Sequence, residues 1–179
     1  MSSTQIIHKI SEQANKMEDE QKIDLSVVDT LNELQESTKQ IQSKWIEKKT
    51  KNSFYFYNAS KSVELIIEKM IDRFKKSQEN HDNPQIALDT LGLVPNLVEI
   101  IQITEEDKSD NETTEKIIER TYKLRNKAEE TRLLESEERN MQEIDKERLL
   151  DTLDGIVEQL NIPKEPLDVV DANDDEDIS

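Results

Sequence analysis

Two histidines, His8 and His81, are the side chains of this chain best suited to proton transfer near neutral pH or to nitrogen ligation of a metal. One falls in a polar N-terminal stretch and the other in a turn. Neither stands in a carboxylate pattern that would orient its ring as a base. Asp171, Asn173, Asp175 and Asp177 resemble the opening of a calcium loop. Glu176 occupies the sixth position, where such a loop needs Gly, and no twelfth-position Glu closes the shell. Lys44, Lys48, Lys49 and Lys51 form the one basic cluster. They could hold a phosphate or an acidic partner; the reading adopted is a solvated face that pairs with the chain's own acids. The sequence contains no Walker loop, no Rossmann glycine pattern and no H-E-x-x-H. Glu is abundant, but Glu on helices is ordinarily a solvated face. The expectation is therefore no enzyme, no cofactor, no metal site and no small-molecule substrate.

Composition sets the class. The 179 residues include 24 Lys+Arg against 41 Asp+Glu, a formal net charge of −17, with only two Gly and four Pro. Few helix breakers and abundant Glu, Lys, Leu and Ile point to helices rather than sheet. Hydrophobic residues are only 33 %, which long helices tolerate because each buries a seam and not a whole face. The same composition would suit disorder, but the apolar residues recur in register over most of the chain. With no Cys, disulfides and thiolate chemistry are excluded. Residues 1–10 lack the apolar core of a signal peptide, and no stretch is expected to reach the ~20 apolar residues of a membrane span. The acidity disfavours nucleic acid and anionic membranes as partners. Asn58-Ala59-Ser60 and Asn111-Glu112-Thr113 match the glycosylation sequon and read as chance. A cytoplasmic or nuclear protein is expected.

Periodicity then orders the elements. Residues 1–22 read as a flexible N-terminal arm with one apolar cluster, Ile6, Ile7 and Ile10. A first helix is expected over about 24–80, capped by Asp24 or Ser26. Its seam, Val27, Leu31, Leu34, Thr38, Ile41 and Trp45, follows alternating spacings of four and three. Phe54-Tyr55-Phe56-Tyr57 shifts the phase, and Val63, Ile67, Met70 and Phe74 resume it, so the helix is expected to continue through a brief kink. Asn83-Pro84 should cap a second helix over about 84–103. Ser109-Asp110-Asn111-Glu112 fits a capping box, opening a third helix over about 110–160. That helix would be ~75 Å long. Its seam runs Ile117, Thr121, Leu124 and Ala128, then, after a phase shift, Leu149, Leu153, Ile156 and Leu160. Residues 164–179 read as a solvated acidic tail. The fold class is all-α: an elongated coiled-coil or helical bundle of long antiparallel helices over 23–163.

Between the long helices lies the densest apolar stretch, with Leu93-Val94-Pro95-Asn96-Leu97 at the bend. The order of long helix, apolar bend ending in Leu-Val-Pro-x-Leu, polar break, long helix and acidic end resembles the small coiled-coil subunit of the dynactin shoulder. Leu93, Val94, Pro95 and Leu97 match that element, and Val28, Leu31, Leu34, Ile41, Lys44, Leu65 and Ile66 follow the upstream helix in outline. The heptad that this family carries near its N-terminus is not evident in residues 1–22. The resemblance implies a non-enzymatic subunit that bundles with dynamitin and the large arm subunit and supports dynein-based transport and nuclear or spindle positioning. It implies a cytoplasmic, cytoskeleton-associated location. The alternative is a helical scaffold subunit of a kinetochore or Mediator-type complex, which would be nuclear. Either way the partners expected are protein helices. The residues expected to meet them are Leu31, Leu34, Ile41, Trp45, Leu93, Val94, Pro95, Leu97, Ile117, Leu124, Leu149, Leu153 and Ile156.

Overall fold

The computed structural model describes residues 3–81 and 83–134. Every regular element among them is helical. In chain order they are α1 (Ser3–Glu20), α2 (Ser26–Lys48), α3 (Ser53–Asn80), α4 (Pro84–Leu88), a 3-10 turn over Asp89–Leu93, α5 (Val94–Glu105) and α6 (Asn111–Glu130). The expected acidic tail over 164–179 and the 135–160 part of the expected third helix lie outside the described residues.

The residues expected to form a flexible arm are a helix. In α1 the apolar positions Ile6, Ile10 and Met17 sit on heptad spacing and all three are buried. The sequence reading weighted the polar residues between them; the seam itself was enough, because α2, α4 and α5 supply a surface for it. Lys16 pairs with Asp24 and Lys9 with Glu33, so α1 runs antiparallel to α2.

The expected helix 24–80 is two helices. The break comes ahead of the aromatic run, at Lys49, which adopts the left-handed conformation (φ 52°, ψ 38°) and ends α2. Ser53 then accepts from the Thr50 amide at 2.9 Å. α2 and α3 fold back as an antiparallel hairpin. Gln42 Nε2 reaches Glu64 Oε1 (3.0 Å) and Gln35 Nε2 reaches the Glu64 carbonyl (3.3 Å). What drives the turn is burial of the aromatics. A straight helix would leave Phe54, Tyr55 and Phe56 in water, whereas the hairpin buries all three.

Left-handed residues follow α1, α3, α5 and α6 as well. Gln21, His81, Asp107 and Arg132 have φ between 51° and 63°. At Arg132 the motif is complete: the Leu133 amide bonds the Ala128 carbonyl and the Arg132 amide bonds the Glu129 carbonyl. Arg73 donates from α3 to the Thr131 and Arg132 carbonyls, both at 2.8 Å. The expected helix 110–160 therefore stops at Glu130, and Leu133 and Leu134 turn back into the core. With only two glycines, the chain places side chains where Gly fits best. Lys49→Gly should therefore stabilise by about 1 kcal/mol, the ordinary penalty of a left-handed L-residue. Urea melts of the two proteins, giving a higher midpoint at unchanged slope, check it.

The helix starts are also specific. Asn83 Oδ1 accepts from the Gln85 amide and Pro84 opens α4, as expected. α6 is capped by Asp110, whose Oδ1 accepts from the Thr113 amide at 2.7 Å, one residue later than the expected Ser109. That bond holds the Asp110 carboxyl below its usual range. The amide of Ser26 does the same for Asp24. A depressed carboxylate pKa favours folding above the ordinary carboxylate range, and the contribution is lost as pH falls through the folded value.

Pro84–Glu105 is, contrary to expectation, long and apolar enough by composition to pass for a membrane span: it is 22 residues long and holds an 18-residue window of mean hydropathy 1.5. It is broken by the 3-10 turn, and 67 % of that window is buried within the chain. It is the core of the bundle.

Candidate interaction site

α3 is the central element, touching α2, α4, α5 and α6. Three clusters tie it in place. The first surrounds Trp45, fully buried near the end of α2. Its ring stacks on Phe56, with centroids 4.3 Å apart and planes 14° apart. Its Nε1 donates to the Thr104 carbonyl at 3.0 Å. Lys48 Nζ lies 5.2 Å over the ring, and Lys44 and Lys48 both pair with Asp107. One aromatic residue thus binds the end of α2, the start of α3 and the end of α5. Lys44 and Lys48 do meet an acid of the chain's own, the role read for that cluster.

The second cluster joins the α2–α3 turn to the α5–α6 loop. Asn52 is buried, and its Nδ2 donates to the Ser109 carbonyl at 2.6 Å. The third is polar and central. Arg125 on α6 is 2 % exposed. Its Nε and Nη2 donate to Ser62 Oγ at 3.2 and 3.0 Å, and Nη2 donates to Asn58 Oδ1 at 3.1 Å. An Arg is fully buried only where its donors are met. These bonds fix α6 against α3 at one register. The sequence reading missed Arg125 because it followed Leu124 and Ala128 as the seam. The available signal was the small polar run Asn58-Ala59-Ser60 with Ser62, which leaves room beside α3 for a long side chain.

The residues expected to meet partners take up a different place. Leu31, Leu34, Ile41, Trp45, Leu93, Val94, Leu97, Ile117 and Leu124 are all buried within this chain's own core. Pro95 is exposed. Leu149, Leu153 and Ile156 lie outside the described residues. The seams were read correctly as apolar, but the hairpin and the bend fold them onto one another. Leu93, Val94 and Leu97 sit at the junction of the 3-10 turn and α5, which packs on both α3 and α6.

The remaining candidates for chemistry are dispersed. His8 Nε2 does meet a carboxylate, Glu12 Oε1 at 2.9 Å, four residues on. Both side chains are largely exposed. His81 caps α3 in the left-handed conformation. Among the described residues no group of His, Asp and Glu is arranged to hold a metal. The cluster Asp171–Asp177 lies outside them.

Comparison of the chain with protein-family models, curated proteins and solved structures finds no match.

Proposed function

We propose that this protein is a non-enzymatic structural subunit of a large multi-protein assembly, with the dynactin shoulder as the assembly its sequence fits best. The observation that carries the reading is the bend. Leu93, Val94 and Leu97 are buried where the 3-10 turn meets α5, the helix that packs on both α3 and α6. The element that carries the resemblance is thus part of the core that joins these helices. The polar links at Arg125 and Asn52 are of the kind that set helix register and not of the kind that turn over a substrate. Leu149, Leu153 and Ile156, outside the described residues, recur at heptad spacing in the sequence, the pattern that partner helices recognise. In the assembly the chain contributes to an elongated antiparallel bundle with dynamitin and the large arm subunit. Its place is cytoplasmic and cytoskeletal, and its task is to support dynein-based transport.

Affinity purification of the tagged chain from its native cell, with mass spectrometry of what co-purifies, tests this. Dynamitin, the large arm subunit and the actin-related filament protein are expected in stoichiometric yield. Kinetochore or Mediator subunits in their place would move the chain to a nuclear scaffold. Recovery as a monomer without stable partners would remove both.

A further inference from the structure

We propose that α1 is an exchangeable helix: within the free chain it fills the groove of α2, α4 and α5 that an amphipathic helix of a partner protein takes in the assembly. This rests on the structural-subunit reading above and adds a built-in stand-in for the partner.

Four observations converge on α1. Its grip is short: Ile6, Ile10 and Met17 are the apolar side chains it buries fully. Its seam is imperfect at the fourth heptad position, Gln13. Gln13 Nε2 bonds Ser26 Oγ at 3.3 Å, but Gln13 Oε1 is buried with no partner. A buried acceptor left unmade opposes docking. One end of the interface is open, and another cleft lies beside the connection that follows α1. A cleft of about 590 Å³ lies where Lys22, Ile23 and Pro84 face Ser77 and His81, and the Ser77 hydroxyl is also buried without a partner. A second cleft, of about 520 Å³, lies between Ile6 and the α2 residues Asp29, Glu33 and Glu36. Last, the polar links are weak. Lys9–Glu33 (4.0 Å) and Lys16–Asp24 (3.8 Å) are solvent-exposed pairs that add little in water. By contrast, Trp45 Nε1 and the Arg125 Nη2 each meet an acceptor at 3.0 Å.

The groove also states what would fit it better. The occupant is a helix with an unbroken apolar seam, carrying Leu where α1 has Gln13. Its edge is basic, because Asp29, Glu33 and Glu36 line the cleft on the α2 side, and Lys9 meets Glu33 at 4.0 Å. Residues 21–25, a short connection with Gln21 left-handed, are the hinge about which α1 swings away.

The probe is a dye-labelled synthetic peptide of residues 3–20 carrying Gln13→Leu, titrated by fluorescence anisotropy into the full-length chain. Ile10→Glu in the full chain undocks its own α1 without touching the groove. The peptide is expected to bind this variant at least about tenfold more tightly than wild type, since the wild-type groove is occupied most of the time. In wild type, hydrogen exchange of α1 amides should be faster than that of α2 and α3. Equal binding to both chains, or binding to neither, overturns the proposal. So does α1 exchanging as slowly as α3, or Ile10→Glu unfolding the whole bundle, because α1 would then be integral to it. None of these outcomes depends on which assembly co-purifies, so failure here and failure of the assembly reading are told apart.

Discussion

Trp45→Ala should cost about 3–5 kcal/mol, the range for removing a large aromatic from a closed core. The side chain is fully buried, stacked on Phe56 and bonded to the Thr104 carbonyl. Its removal opens a cavity and orphans a buried acceptor at the end of α5. A small domain has on the order of 5–15 kcal/mol of stability in all, so this one change should bring the bundle close to unfolding. Urea denaturation followed by circular dichroism measures it. Trp45→Phe should recover most of the packing and none of the bond, leaving a deficit of about 1–3 kcal/mol from the unmet carbonyl. If Trp45→Ala melts within ~1 kcal/mol of wild type, the α2–α5 junction is not closed around this ring.

Arg125→Ala should cost on the order of 2–4 kcal/mol, through unmet hydrogen bonds and not through lost apolar area. Ser62 Oγ and Asn58 Oδ1 lose their donor while α3 and α6 stay packed around them, and the aliphatic stem leaves a void. Arg125→Lys should restore only part, because a single ammonium cannot reproduce the fork that serves both acceptors. The informative variant is the triple replacement Asn58→Leu, Ser62→Ala, Arg125→Leu. Replacing all members of a buried polar set by apolar groups of similar size is often neutral or better. It should regain most of the stability, while register between α3 and α6 loosens. Melts of the four proteins, with amide exchange along α6 as the readout of register, decide it. Equal stability of Arg125→Ala and wild type would mean that the guanidinium contributes no net stability between these helices.

Stability effects of this size concentrate at residues that the sequence made readable only in part. Trp45 stood out on the seam of residues 27–45, and its burial follows from the heptad spacing alone. Its partner Phe56 did not follow, because the reading carried the helix straight through residues 49–52. Nothing in Lys49-Thr50-Lys51-Asn52 is a strong breaker. A left-handed lysine is an unfavourable local choice, and only the aromatic burial gained by folding α3 back offsets it. The same holds at Arg132, where the turn that ends α6 is held by Arg73 from a helix some sixty residues earlier.

The sequence by itself determined that this protein is all helix among the described residues, where two of the helix starts fall, and which residues shun water. Those are local matters of spacing, capping chemistry and composition. It did not determine which seams face one another. An a/d stripe is apolar whether its complement lies on a partner protein or on the next helix of the same chain. Leu31, Leu34, Ile117 and Leu124 were therefore legible as interface residues but not as residues of this particular interface. The tertiary structure decided that by closing the hairpin at Lys49, docking α1 into the groove beside α2, and burying Arg125 where Asn58 and Ser62 could meet it. Each step trades an unfavourable local conformation or a desolvated charge for long-range burial, and no window of sequence contains both sides of that trade.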